Sequence, residues 1–354
     1  MTLDITFRVD ASTSLGFGHL SRCLVLADAF GRLGATCIFL TRPRDGSFLS
    51  EIERKGHKVV LLPQRADDRS FFGVTEEQEV EDVLETLETL RRVPDWLVVD
   101  HYGATEMWHR ALRRNCNRLM VIDDLADRAI DADLILNQNL YANPCDYKDL
   151  SKGAHLLAGA AYSLLRPEFK LERPKALARR RSPGRRVLVS LGGGDPSGLT
   201  VPIVSALTDG TAVNSTSLCI VLGLAAASCM PVVEKLLQGF PGDHRVVLNA
   251  QNMAELMAES DLCIGAAGSS AWERCCLGLP SLTFVLAENQ FLAARALSKI
   301  GATIEMNSNA MPMLRPLIDD LLLDPARLRD MAERAAGVTD GCGVDRVIQT
   351  MLKF

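Results

Sequence analysis

The chain has 354 residues, 47% hydrophobic and 23% charged, with a formal net charge of -5. That length predicts two domains, each large enough to bury a sizeable core, and the acidic balance argues against a dedicated nucleic-acid binder. The ten cysteines and six histidines show no paired metal-ligand spacing. Cys23, Cys37, Cys219 and Cys263 fall inside apolar segments and Cys275 adjoins Cys276, the usage of small buried hydrophobes in a reducing compartment rather than of a disulfide framework. The N-terminus carries no basic-then-apolar pattern and no apolar run approaches membrane-spanning length, so a soluble cytoplasmic protein is expected.

Taken in chain order, an apolar run (Ile5, Phe7, Val9) ends in polar and glycine residues, and an apolar-periodic segment (Leu20, Cys23, Leu24, Ala27) follows. The pattern predicts a strand, a tight glycine turn and a helix. Gly16 and Gly18 let the backbone approach a ligand closely. The helix begins at or near His19, where free N–H groups and the dipole favour an anion and disfavour a protonated imidazole, leaving it available as a base. Asp10 and Arg22 flank this loop as substrate contacts or as structural residues. The dinucleotide fingerprint is absent, because Ser21 stands where its third glycine would be.

Further strands are predicted over 36–41, 58–62, 96–100, 118–123 and 134–137 beside the first at 6–10, with helices over 19–33, 47–55, 76–92 and 105–114. Such alternation implies a parallel sheet covered by helices on both faces, with ligands beyond the carboxyl ends of its strands. Polar residues gather at those ends: Asp10, Arg42 with Arg44, Asp100-His101-Tyr102, Asp123-Asp124 and Asn137-Gln138-Asn139. Between 166 and 186 the prolines and clustered arginines break regular pattern and predict an interdomain linker.

The second half, 187–354, repeats the strand-helix grammar, with strands over 186–191, 217–222, 245–248, 262–264 and 281–284. Two of its strand-to-helix turns are glycine-rich, one at Gly192-Gly193-Gly194-Asp195 and one at Gly268-Ser269-Ser270. Backbone N–H groups at such turns hold a diphosphate, and a serine at a helix start can also cap it. Glu273, within the first helical turn, can accept hydrogen bonds from both hydroxyls of a ribose. Gly-Lys-Ser/Thr never occurs, so no Walker loop is present.

Two Rossmann-like domains with a nucleotide site in the second describe the GT-B architecture, an α/β fold whose two parallel sheets face a central cleft. The ordered set Gly16-Phe17-Gly18-His19-Leu20-Ser21-Arg22, Asp100-His101-Tyr102, Ile122-Asp123-Asp124, Asn137-Gln138-Asn139, Leu191-Gly192-Gly193-Gly194-Asp195 and Glu288-Asn289-Gln290 resembles the UDP-2,4-diacetamido-2,4,6-trideoxy-β-L-altropyranose hydrolases of pseudaminic acid biosynthesis. That family is similar in fold to the lipid II-forming N-acetylglucosaminyltransferase. The resemblance covers about residues 5 to 300, while residues 64–74 and the last fifty or so match nothing. It implies that His19 activates a water, that Tyr102 and Asn289 lie at the sugar, and that Glu273 binds the ribose of UDP, while the glycine-rich turns offer Gly193, Gly268, Ser269 and Ser270 for its diphosphate. It also implies a monomeric enzyme acting on a UDP-sugar without cofactor, metal, nucleic acid or membrane.

Physics supports the chemistry. A UDP diphosphate is a competent leaving group once N–H groups and dipoles stabilise its charge. Deprotonating a water opposite the departing oxygen then inverts the anomeric centre. A glycosyltransferase of the same fold is the nearest alternative; its acceptor would need its own site, and a lipid acceptor an apolar, basic patch that the sequence of the first domain does not show. A catalytically idle nucleotide-sugar binder would have no use for His19.

Overall fold

The computed structural model describes residues 2–10, 12, 17–44, 46, 48–65, 70–193, 195, 197–208 and 216–354. The chain divides into two compact units, one of residues 1–164 with 343–354 and one of residues 165–342. In the first unit β1 (Asp4–Val9), β2 (Thr36–Thr41), β3 (Lys58–Leu61), β4 (Trp96–Asp100), β5 (Arg118–Ile122), β6 (Leu134–Asn137) and β7 (His155–Ala158) form one sheet. Its order is β3-β2-β1-β4-β5-β6-β7, with parallel pairing throughout.

Side-chain alternation along these strands sorts their apolar residues into two cores. Phe7, Val9, Phe39, Val98 and Ile122 cluster with the helix Gly18–Arg32. Ile38, Leu40, Leu97, Val99 and Val121 cluster with Val83 and Leu87 of the helix Glu76–Leu90 and with Trp108 and Leu112 of the helix Glu106–Leu112. Burial on both faces is why these strands read as continuous apolar runs.

The second unit carries β8 (Arg186–Ser190), β9 (Ser217–Leu222), β10 (His244–Leu248), β11 (Leu262–Ala266), β12 (Ser281–Phe284) and β13 (Thr303–Met306). The sheet order is β10-β9-β8-β11-β12-β13, again parallel throughout. Leu314, Ile318 and Leu321 of the helix Met311–Leu323 and Leu328 and Met331 of the helix Pro325–Ala336 complete its core. No helix among the described residues is long and apolar enough to cross a membrane.

Two expectations about organisation need correction. Residues 166–186 are not an irregular linker, because Pro167–Arg180 is a helix of the second unit. Pro167 occupies its first turn, where the missing N–H costs nothing, although Pro174 lies inside. Two of its arginines are tied to backbone carbonyls. Arg180 is buried and donates to the carbonyls of Met257 (2.9 Å), Gly278 (3.0 Å) and Ser260, while Arg173 donates to Ala336 and Thr339 at 3.0 Å each. Those carbonyls sit at or just beyond the C-termini of three helices, where backbone acceptors lack intrahelical partners.

The second correction concerns the C-terminus. The helix Gly343–Met351 belongs to the first unit, where Val344, Val347, Ile348 and Met351 join the core around the helix Gly18–Arg32. Each such buried side chain contributes about 1.5–3 kcal/mol. Gly343 is required at its start, because a Cβ there would overlap the backbone of Ser163.

Candidate functional site

In the first sheet β1 lies between β2 and β4. The connections leaving β1 and β4 therefore start from neighbouring strand ends, the place where open parallel sheets bind ligands. His19 is the second residue of the helix Gly18–Arg32, and the N-cap residue Phe17 supplies no side-chain cap. Among the described residues a Cβ at Gly18 would meet nothing within 4 Å. Gly16 lies outside the described residues.

Four strand ends contribute to one cluster of side chains around His19. Asp100, the last residue of β4, holds His19 Nδ1 at 2.5 Å through Oδ1. Arg22, one helical turn after His19, donates Nε to Asp100 Oδ2 at 2.6 Å and a terminal nitrogen to Oδ1 at 2.7 Å. Its terminal nitrogens also reach Asp124 at 2.9 and 2.8 Å. Asp124 accepts further bonds from the Tyr102 hydroxyl at 3.1 Å and the Asn139 amide at 2.7 Å. The Tyr102 ring meets His19 edge-on, with centroids 4.7 Å apart.

Charge in this cluster is unevenly paired. Burial pushes the Asp100 carboxyl up, but Arg22 and His19 outweigh it and hold Asp100 well below the ordinary carboxylate range. Asp124 is lowered likewise, burial opposing and Arg22 prevailing. Two carboxylates thus face one guanidinium, leaving room for one more positive charge. Cys23 adjoins Asp100, and burial with that carboxylate pushes its thiol far up, so it is no nucleophile.

Asp10 and Arg22 are both held by ion pairs within the first unit. Asp10 is buried and accepts from the Arg8 guanidinium at 2.5 and 2.9 Å, from the Arg42 backbone N–H at 2.8 Å and from Thr41 at 3.2 Å. His101 Nε2 approaches the same carboxylate at 3.3 Å, and burial lowers the basicity of that imidazole. The Asp100-His101-Tyr102 motif therefore splits: Asp100 and Tyr102 face His19, whereas His101 joins the buried ion-pair network of Arg8, Asp10 and Glu79. Asp100, Asp124 and Asn139 were not singled out as site residues by the sequence. Their signals are their place at or within two residues of a strand end and their membership of the quoted motifs.

In the second unit β8, β11 and β12 are consecutive neighbours, so their C-terminal connections are adjacent too. Asp195 caps the helix Thr200–Thr208, accepting from the backbone of Leu199 at 2.9 Å and Thr200 at 2.7 Å. Gly192 takes φ 95°, and Gly193 presses its carbonyl against Gly223, where no side chain fits. Gly194 lies outside the described residues. Gly268 and Ser269 lead into the helix Ser270–Cys276, and here the expected cap is missing. Ser269 takes helical angles and makes no side-chain cap, while Ser270 Oγ accepts from Arg274 at 3.2 Å. The N–H groups of that turn therefore keep no side-chain acceptor from Ser269.

Glu273 retains 19% side-chain exposure and meets Arg166 at 3.4 Å. Burial pushes its carboxyl up, and Arg166 offsets this in part. Asn289 is exposed on the short 3-10 turn Glu288–Gln290. Its neighbour Gln290 folds back onto the Leu286 N–H at 3.0 Å and lies beside Gly268. The predicted site residues thus form two groups, His19 with Tyr102 in the first unit and Gly193, Gly268, Ser269, Ser270, Glu273 and Asn289 in the second. Among the described residues no group of three or more His, Cys, Asp or Glu side chains is placed to hold a metal ion.

Comparison with known proteins bears on the fold and the family. Residues 231–344 match the glycosyltransferase family 28 C-terminal domain. The chain is 26% identical over 308 residues to the UDP-2,4-diacetamido-2,4,6-trideoxy-beta-L-altropyranose hydrolase of Campylobacter jejuni, covering 86% of this chain and 99% of that one. It is 25% identical over 294 residues to the uncharacterized protein MJ1062 of Methanocaldococcus jannaschii, covering 81% of this chain but only 56% of the relative. The MurG structure from Acinetobacter baumannii superposes with TM-score 0.73 at 14% identity, covering 100% of both chains. The fold is GT-B, and the chain resembles the hydrolase family along most of its length.

Proposed function

We propose that the chain hydrolyses UDP-2,4-diacetamido-2,4,6-trideoxy-β-L-altropyranose with inversion, releasing UDP and the free 2,4-diacetamido-2,4,6-trideoxy-L-altrose for pseudaminic acid synthesis. The observation that carries this reading is the bond between His19 Nδ1 and Asp100. An ionised carboxylate can only accept, and Asp100 at 2.5 Å lies much nearer Nδ1 than the Arg22 terminal nitrogen at 3.2 Å, so we assign the proton to Nδ1 and the lone pair to Nε2. A water held by Nε2 gives up its proton as its oxygen bonds to C1 and the bond from C1 to the diphosphate oxygen breaks. The imidazolium so formed supplies the positive charge that Asp100 and Asp124 leave unbalanced, then releases its proton to solvent. Tyr102, fixed by Asp124, would border the sugar.

UDP is assigned to the second unit. The uncapped N–H groups at Gly268 and Ser269 and the small residues at Gly193 support a diphosphate there, and Glu273 supports the ribose. Asn289 is assigned to the same end of that sheet. Transfer to a sugar or lipid hydroxyl is the second reading, and the match to a glycosyltransferase domain favours it over no reaction at all. One assay separates them. Pure protein should release UDP from this sugar nucleotide through many turnovers with no acceptor present, and proton NMR should show the inverted anomer first. UDP release that waits for an added acceptor sinks the hydrolase and leaves the transferase.

A further inference from the structure

Residues 64–74 match no motif, and of these 66–69 lie outside the described residues, but residues 70–74 pack on the loop after β4, which carries Tyr102 of the His19 cluster. Ser70 Oγ donates to the Val74 carbonyl at 2.6 Å and the Gly73 N–H to the Ser70 carbonyl at 3.0 Å, closing a turn. Arg44 donates to the Phe71 carbonyl at 2.6 Å. Phe72 is buried and stacks on His101, with centroids 4.1 Å apart and planes 11° apart, and the Arg8 guanidinium lies 5.5 Å from the Phe72 ring. A Cβ on Gly103 would meet the Phe72 ring at 3.0 Å and Phe71 Cβ at 3.1 Å, so the two loops pack closely and a larger residue would have to push these rings aside.

This mount holds one ring out of the core. Phe71 stays 58% exposed while its ring meets Tyr102 edge-on at 6.1 Å, and Tyr102 in turn meets His19 at 4.7 Å. A lone exposed aromatic is ordinary. A rigidly seated one, continuous with the rings beside a candidate base, forms an apolar wall for a ligand. We infer that Phe71 is a specificity-determining residue that packs against an apolar substituent of the sugar, the C6 methyl of a 6-deoxy sugar or the methyl of an acetamido group. The inference rests on the proposed assignment of a UDP-sugar to the His19 cluster, and it selects deoxygenated, acylated sugars within that class. A methyl seated in an apolar pocket changes discrimination by about 10- to 200-fold, and a wall open to solvent on one side belongs at the low end.

Calorimetry on the His19→Asn protein reads this without turnover. Three probes are compared: the trideoxy diacetamido UDP-sugar, UDP-N-acetylglucosamine, which keeps its C6 hydroxyl, and UDP alone. Adding Phe71→Ala should weaken the trideoxy sugar by about tenfold while leaving UDP unchanged. Phe71→Tyr, which keeps the ring, should retain the preference. Equal weakening of all three probes, or an unchanged affinity for the trideoxy sugar, overturns the role of Phe71. Turnover of the unaltered protein distinguishes this failure from that of the function itself. Hydrolysis with no Phe71 effect removes only the specificity role, whereas a Phe71-dependent preference without acceptor-free hydrolysis removes only the hydrolase. Absence of binding by all three probes removes both.

Discussion

With Nδ1 of His19 committed to Asp100, the rate should depend on the pair rather than on the imidazole alone. His19→Asn removes the base and should cut turnover by about a hundred- to ten-thousand-fold, with UDP affinity by calorimetry unchanged. Asp100→Asn replaces an obligate acceptor by a group that can donate, which favours the wrong tautomer, and should lower kcat by about a hundredfold or more with little change in KM. A fall in KM affinity with kcat intact would instead mark Asp100 as a mere scaffold. Glu273→Ala should weaken UDP about tenfold, the loss expected of a charge-assisted bond worth about 1.5–3 kcal/mol; an unchanged affinity removes the ribose role. Acid should act through the carboxylates. Asp10, Asp100 and Asp124 lie below the unfolded value of about 3.9, burial opposing and arginines prevailing. Their contribution is therefore complete above about pH 5 and is lost as pH falls through 3.9 toward the folded values. Urea melts should show stability falling across that window, with a shallower fall in Asp124→Asn. Of this site, His19 and Tyr102 were legible because a glycine turn and a motif marked them. Asp100, Asp124 and Asn139 stand in quoted motifs too, but their roles come from contacts between separate strand ends, and a linear pattern carries no such pairing.

At the scale of elements, a continuous apolar run in a buried parallel strand survives in the sequence, and β2, β4, β9 and β12 occupy the residues expected. The missed strands, β7 and β13, are four residues each, and half of each is not fully buried or more. Tertiary packing defines them better than pattern does. The helix Pro167–Arg180 was obscured for a different reason. Its mean composition is polar and proline-broken, and what holds it is a set of arginine bonds to carbonyls of other helices. Those bonds have a measurable consequence. Arg180 is buried, which lowers its pKa to about 10 despite Asp261 nearby, and its removal strands several buried acceptors at about 1–3 kcal/mol each. Arg180→Ala should therefore lower the stability of the second unit by about 2–4 kcal/mol in urea melts. Arg180→Lys should recover less than half of this, because an ammonium cannot present the same planar fork. A loss below about 0.5 kcal/mol, the usual range of a surface substitution, would show that the carbonyls find other partners.

At the scale of the whole molecule, the chain leaves the first unit near Leu164 and returns to it at Gly343. No pattern in the sequence announces that return, because the last helix is an ordinary amphipathic segment whose partner, the helix Gly18–Arg32, lies at the other end of the chain. Its burial against the helix Gly18–Arg32 makes the C-terminus a support for the helix that carries His19. Residues 1–164 expressed alone would expose the surface that Val344, Val347, Ile348 and Met351 cover. At about 1.5–3 kcal/mol for each side chain, that loss is comparable to the whole stability of about 5–15 kcal/mol that a domain of this size possesses. The piece 1–164 should therefore be unfolded or molten. The remedy follows from the position of Gly343, which packs directly on Ser163. The two crossing points are adjacent, so a few glycines suffice to join residue 164 to residue 343. The fused piece should melt cooperatively by calorimetry and show dispersed amide resonances, whereas 1–164 alone should show neither. A cooperative transition in 1–164 without the last helix would mean that the C-terminal return is dispensable, and that the sheet alone fixes the helix bearing His19.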